Sequence, residues 1–250
     1  MYRFFVEQSD IDMQEGRIAV CGNDVNHIRN VLRMKPGEQI LLCTGIEGDP
    51  VEYLCEIDEI RSDMVLARIL DLQKNARELP SDICLFQAIP KGDRFETVIE
   101  KSVELGVHEI VPVMSARTIV RLDEKRAQKK TDRWNSISLS AAKQSKRSFI
   151  PKVDLPHTWK QALERSHTLD RILVPYENAE GIAHTREVIG AIRPGESIGI
   201  FIGPEGGFEE SEVRQLEEMG GSVITLGHRI LRTDTASIAT LAMLMLHLES

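Results

Sequence analysis

The sequence predicts an α/β domain over 73–250, preceded by a small β-barrel-like domain over 1–72. Up to residue 72, short strand-like runs follow one another with a single helical interruption. From residue 83, buried strand patterns alternate with helical ones, as they do in α/β layers. Between the two, 72–80 (LQKNARELP) is charged, lacks apolar periodicity and ends in proline, which reads as a linker. A length of 250 residues suits one large domain or two smaller ones and is ample for a core.

In the first part, strands are expected at 2–6, 17–20, 39–44, 51–60 and 64–72, parted by turn signals such as Lys35-Pro36-Gly37 and Gly48-Asp49-Pro50. Within 51–60, Val51, Tyr53, Cys55 and Ile57 alternate with Glu52, Glu56 and Asp58, although Leu54 breaks the pattern. Such alternation suits a strand with one buried face. A helix is expected over 24–34, with Asn23 as N-cap and Val25, Ile28, Val31 and Leu32 as its apolar stripe.

In the second part, a strand over 83–89 runs into Pro90-Lys91-Gly92-Asp93. The helix after it, 94–105, buries Val98, Ile99, Ser102, Val103 and Leu105 and stops at Gly106, where a left-handed cap belongs. A strand over 109–114 precedes a long basic helix over 124–147. Strands at 171–176, 197–203 and 222–227 then alternate with helices near 157–166, 184–192 and 209–219. The last helix, 235–248, is apolar on nearly every face, so it is either a central core helix or one whose spare face meets another subunit.

Composition narrows the function classes. Apolar and charged fractions of 42% and 28% are ordinary for a soluble globular chain and exclude wholesale disorder. Cys21, Cys43, Cys55 and Cys84 form no CxxC pair and have no histidine at ligand spacing, which points to free thiols and no metal. The opening MYRFFVEQSD lacks the apolar core of a signal peptide, and 236–248 is too short to span a bilayer. A cytoplasmic location without membrane contact is expected. The net charge of −8 hides an asymmetry: 117–152 holds eleven Lys or Arg against three Asp or Glu. An acidic body with one basic stretch is a footprint for a polyanion; the plainer reading is a solvated helix face.

Two loops carry the chemistry. Gly203-Pro204-Glu205-Gly206-Gly207-Phe208 follows one strand, and HRILRTDT (228–235) follows another. In open α/β sheets such loops gather beyond the carboxyl ends of strands, where ligands bind. The first loop lacks the Gly-Lys-Ser/Thr of a phosphate cradle, Pro204 removes a backbone donor, and Glu209 and Glu210 would repel an anion. That disfavours a nucleotide-dependent transferase. The loop reads equally as a site for a neutral or cationic ligand and as a tight strand-to-helix turn. In the second loop, Arg229 and Arg232 could bind phosphate, stabilise developing negative charge, or form salt bridges. Arg3 beside Phe4 and Phe5 could touch RNA or belong to an ordinary first strand.

KGDRFETVIEKSVELGV (91–107), AAKQSKR (141–147), IGPEGGF (202–208) and LGHRILRTDTA (226–236) together resemble the RsmE family of SPOUT-class RNA methyltransferases. The resemblance extends to the opening YRFFV and to HIRNVLR (27–33) and so spans the chain. One departure is Asp234, where the family more often has glutamate. The resemblance implies a PUA-like RNA-binding barrel over 1–72 and a SPOUT domain with a deep trefoil knot over 73–250. It also implies a homodimer that uses S-adenosyl-L-methionine to methylate N3 of a uridine in 16S ribosomal RNA of the small subunit. A non-catalytic RNA-binding or ribosome-assembly factor of the same fold is the alternative.

Carried onto this chain, the resemblance implies a cofactor pocket of Leu173, Val174 and Pro175, of Ile202, Gly203, Pro204, Glu205, Gly206 and Gly207, and of Leu226, Gly227, Ile230, Leu231 and Arg232. Direct displacement at a sulfonium methyl requires no nucleophilic side chain and no metal. The uridine imide is a poor nucleophile while protonated, so positioning and deprotonation are what the protein must supply. Arg232 is expected to stabilise the base anion, with Glu205 or Asp234 as proton acceptor. RNA contacts are expected at Arg3, His27, Arg33, Lys91, Arg94, Lys143, Gln144, Lys146 and Arg147.

Overall fold

A computed structural model describes residues 1–46, 51–74, 77–177, 179 and 181–250. The expected turn at Gly48-Asp49-Pro50, and Asn75 and Ala76 of the expected linker, lie outside these residues. The chain divides into two units, Met1–Glu78 with Ala142–Ile150, and Leu79–Ala141 with Pro151–Ser250. This differs from a single boundary at 72/73, because a segment from the middle of the chain joins the first unit.

The first unit holds β1 (Tyr2–Phe5), β2 (Ile11–Asp12), β3 (Arg17–Cys21), helix α1 (Asn23–Asn26), β4 (Gln39–Cys43), β5 (Val51–Ile60) and β6 (Met64–Lys74). The strands form one sheet in the order β1-β4-β5-β6-β3-β2, parallel between β1 and β4 and antiparallel elsewhere. Phe4, Ile18, Val20, Ile40, Leu42, Cys55, Ile57, Val65 and Ala67, from strands across the sheet, belong to one buried cluster. A sheet whose distant strands share a core must curl around it, as a barrel does.

Local departures from expectation have physical causes. The helix expected over 24–34 is α1 followed by a π-helical turn, His27–Val31, and Gly22 stands at its N-cap position in place of Asn23. The wider π turn rotates Val31 out of the expected stripe to 64% exposure, while Val25 and Ile28 stay buried. In β5 the register shifts between Leu54 and Cys55, so the buried face passes to Glu52 on one side of the bulge and to Cys55 and Ile57 on the other. That is why Leu54 breaks the alternation.

The second unit holds β7 (Ile83–Ala88), α2 (Arg94–Glu104), β8 (Glu109–Met114), most of α3 (Glu124–Ser145), β9 (Lys152–Val153), β10 (His157–Thr158) and α4 (Trp159–Ser166). It continues with β11 (Arg171–Pro175), α5 (Ile182–Gly190), β12 (Ile198–Ile202), α6 (Glu210–Glu218), β13 (Ser222–Ile224) and α7 (Thr233–Leu248). Its sheet runs β10-β8-β7-β12-β11-β13, with β9 also on β8, and every pairing is parallel. β7 and β12 are buried along their whole length, and Phe86 stacks on Phe201 between them with ring centroids 4.3 Å apart. Continuous apolar strands of this kind are what a sheet covered on both faces requires. The chain builds outward from β7 to β8 on one side, then returns to place β12 on the other. The strand order therefore reverses between β7 and β12, and ligands favour such a crevice.

α2 ends as expected at Gly106, whose φ of +89° is left-handed. α3 stops at Ser145, two residues short of expectation, because Lys146 adopts φ +61°. α7 starts at Thr233, two residues early, which draws Thr233 and Asp234 out of the loop and into the helix. It buries Thr233, Ser237, Thr240, Leu241, Leu244 and Leu248 and leaves Leu246 71% exposed, so it is not buried all round.

Candidate functional site

Beyond the carboxyl ends of β11, β12 and β13, a cavity of about 400 Å³ opens. Pro175 and Tyr176 line it from β11, Ile202 with Gly203, Pro204, Glu205 and Gly207 from β12, and Thr225 through Thr233 from the segment after β13. Arg94 at the start of α2 and Ala236 on α7 complete the wall.

Each loop is bent by its own sequence. A Cβ on Gly203 would lie 3.1 Å from backbone atoms of Gly207 and Phe208, so the bare backbone lets the loop close tightly on itself. The carbonyl of Gly206 accepts a hydrogen bond from Arg117 Nη1 at 2.8 Å and faces that guanidinium; Gly206 does not line the cavity. Glu205 Oε1 accepts from the Lys91 backbone N–H at 3.0 Å and lies 3.7 Å from Arg94 Nη1, which fixes the carboxylate against α2. In the second loop Gly227 has φ +113°, a conformation that L side chains rarely adopt. Thr185 steadies the entry to that loop, donating to the Thr225 carbonyl at 2.9 Å and accepting from its N–H at 3.0 Å.

A buried clasp joins both loops to the sheet. Gln87, at the carboxyl end of β7, is fully buried and donates through Nε2 to Thr233 Oγ1 and to the Ala88 carbonyl, each at 2.9 Å. Thr233 Oγ1 in turn donates to the Gly203 carbonyl at 2.6 Å, and Ser237 Oγ donates to Gln87 Oε1. The start of α7 is thus tied to the ends of β7 and β12, and two cavity residues, Gly203 and Thr233, share one hydroxyl. Sequence reasoning missed Gln87, Thr233 and Ser237. The available signal was a glutamine inside the apolar strand run ICLFQAI, since a buried amide needs partners.

The wall mixes apolar Ile202, Leu226, Ile230 and Leu231 with the cations Arg94, Arg229 and Arg232 and the carboxylates Glu177 and Glu205. None of its described lining residues is a lysine. Of the expected pocket residues, Pro175, Ile202, Gly203, Pro204, Glu205, Gly207, Leu226, Gly227, Ile230, Leu231 and Arg232 are brought together here. Leu173 and Val174 are buried within β11 and do not line the cavity. Asp234 also does not line it: the residue sits one position into α7, and its Oδ1 is buried without a hydrogen-bond partner. Tyr176, Thr225, His228 and Ala236 line it and were not anticipated.

The expected RNA-contact residues divide sharply. Arg3 is buried, its Nη2 2.5 Å from Glu52. Arg147 is buried against Glu78, with Nε at 3.0 Å and Nη2 at 2.5 Å. Lys143 meets both oxygens of Asp24 at 2.8 Å. These three cations are neutralised inside the first unit by acids distant in sequence, so they are not free to meet a polyanion. His27, Arg33, Lys91, Gln144 and Lys146 are exposed, and Arg94 stands on the cavity wall. All four cysteines are free thiols, with Cys21 exposed and the others buried. Among the described residues there is no cluster suited to a metal ion, and no helix is long and apolar enough to cross a membrane.

A family model described as an RNA methyltransferase domain matches residues 77–245, and one described as an RNA methyltransferase PUA domain matches 20–70. The chain is 37% identical to ribosomal RNA small subunit methyltransferase E of Bacillus subtilis (strain 168), over 97% of this chain and 95% of that protein. The protein of the same name from Mesomycoplasma hyopneumoniae (strain 232) is 35% identical over 95% and 96%. Among solved structures, ribosomal RNA small subunit methyltransferase E from Neisseria gonorrhoeae, bound to S-adenosyl methionine, superposes with a TM-score of 0.80 at 35% identity over 97% and 95% of the two chains. A Legionella pneumophila protein in complex with the cofactor SAM gives 0.82 at 32% identity over 98% and 96%.

Proposed function

The chain belongs to the ribosomal RNA small subunit methyltransferase E family of RNA methyltransferases, and we propose that it transfers the methyl group of S-adenosyl-L-methionine to N3 of a uridine in 16S ribosomal RNA. The observation that carries this reading is the two-loop cavity beyond the carboxyl ends of β11, β12 and β13. Its residues fit such a cofactor: apolar side chains for a nucleoside, Glu177 and Glu205 to complement a sulfonium, and a Pro204 that withholds the donor a phosphate cradle would use. Pro175, Ile202, Gly203, Pro204, Glu205, Gly207, Leu226, Gly227, Ile230, Leu231 and Arg232 would hold it. When bound, the cofactor supplies an electrophilic methyl group.

The protein's own residues orient the base and manage its proton. Arg232 is exposed on the cavity wall, free to set its guanidinium against the anion that forms as the imide proton leaves. In this reading Glu205, held by the Lys91 amide and Arg94, accepts that proton. Asp234, off the wall, is set aside as base.

The reading includes a trefoil knot in this unit, formed around the loops that the Thr233 clasp ties to the sheet. The exposed Leu246 on α7 supports a homodimer. The PUA domain match supports RNA binding by the N-terminal unit, and the small ribosomal subunit in the cytoplasm is the setting for the reaction.

The test is incubation with labelled cofactor and small ribosomal subunits lacking the modification, followed by mapping of the methylated base. Methyl transfer to uridine N3 is expected, and binding without transfer would favour a non-catalytic assembly factor. An Arg232→Ala variant, assayed at saturating cofactor because Arg232 also lines the pocket, should lose roughly 100-fold or more in kcat. Wild-type turnover in that variant would remove Arg232 from the chemistry.

A further inference from the structure

With Arg3, Lys143 and Arg147 neutralised by buried or half-buried carboxylates, the unspent positive charge lies elsewhere. The first half of α3 carries Lys125, Arg126, Lys129, Lys130 and Arg133, and the acids of that stretch are Glu124 and Asp132. Lys125, Lys129 and Arg133 recur at intervals of four and share one helix face. Lys125 and Lys129 are exposed and pair with no carboxylate among the described residues. Lys130 lies over the Trp134 ring, 5.7 Å from its centroid.

This face connects to the cavity through α2. Phe95 packs on Trp134 with ring centroids 4.5 Å apart, and Arg133 Nε sits 2.7 Å from Glu96 Oε1. The residue before Phe95 is Arg94, which lines the cavity. Three successive residues of α2 therefore reach the cavity, the core of α3 and the base of its cationic face. From Arg133 back to Lys125 the face extends about 12 Å at 1.5 Å per residue.

We infer that the first half of α3, through Lys125, Lys129 and Lys130, is a docking track for the ribosomal RNA backbone flanking the target base. This inference rests on the function proposed above and replaces the 143–147 end of the helix as the principal cationic contact. Phosphate contacts of this kind position a strand without reading its sequence, which suits a track beside a site that selects the base itself. The spacing places the cations on the same unit as the cavity, so the track and the site move together.

The test uses the full-length protein carrying Lys125→Gln, Lys129→Gln and Lys130→Gln together. Its affinity for unmodified small ribosomal subunits is titrated with KCl at fixed magnesium. Loss of three phosphate contacts should weaken binding on the order of 100-fold at 0.1 M salt and flatten the salt slope by about 2. Affinity for S-adenosyl-L-methionine, measured on the same preparation, should be unchanged and reports that the variant is folded. Wild-type RNA affinity and salt slope in the folded triple variant would overturn the track. A wild-type protein that methylates no ribosomal RNA would instead overturn the proposed function.

Discussion

Replacing Gln87 with leucine probes the clasp directly. Leucine roughly preserves volume on a strand that is fully buried, so packing is nearly conserved while the carboxamide is lost. Three hydrogen bonds go with it: those to Thr233 Oγ1 and the Ala88 carbonyl, and the one from Ser237. Thr233 keeps its bond to Gly203, and Ser237 keeps its bond to the Thr233 carbonyl at 2.9 Å. At about 1 kcal/mol net per bond, the expected loss is about 3 kcal/mol of folding stability. Losing the Thr233 restraint alone, about 1 kcal/mol at the cavity wall, corresponds to roughly fivefold weaker cofactor binding. Urea unfolding should show a lowered midpoint with an unchanged slope, and calorimetric titration with S-adenosyl-L-methionine should show the weaker affinity. A Ser237→Ala variant, which removes one donor, should lie between. A Gln87→Leu protein with wild-type midpoint and affinity would refute the idea that this amide holds the two loops together.

Elsewhere, Glu52→Ala should destabilise the first unit by about 3–5 kcal/mol, because it strands the buried Arg3 guanidinium without its counter-charge. Hydrogen exchange on β4–β6 amides should rise steeply while cofactor binding stays intact, and unchanged exchange would show that Arg3 finds another partner. Burial pushes the Cys55 thiol up to about 12, against an ordinary value of 9.0. Its contribution to stability is therefore complete below pH 9 and is lost as the pH rises toward 12, at up to about 1.4 kcal/mol per pH unit. Denaturation midpoints measured from pH 8 to 11 should fall accordingly, and a Cys55→Ala variant should fall less steeply.

Much of the site was readable before any coordinates. Pro204 and the flanking glycines marked the first loop, and Arg232 after a short strand marked the second, because strand-to-helix turns in parallel sheets carry local signatures of their own. Charge was less readable. Lys143 and Arg147 stand in a basic run, and only folding brings Asp24 and Glu78 against them, converting apparent RNA contacts into internal ion pairs. Arg3 was misread for the same reason, since Glu52 faces it only after a bulge in β5 reverses that strand's buried face.

The sequence by itself determined the strand and helix periodicity, the place of the two loops and the resemblance that implied a methyl donor and an RNA acceptor. These follow from patterns within a few residues of one another, where propensity and turn chemistry act. Only the tertiary structure decided that Gln87 ties Thr233 to Gly203, that Asp234 does not line the cavity, and that the free cations of α3 lie in its first half. The clasp depends on partners 30 to 146 residues apart in the chain, from Gly203 with Thr233 to Gln87 with Thr233. Burial and pairing across such distances are properties of the packed chain, and no local pattern carries them.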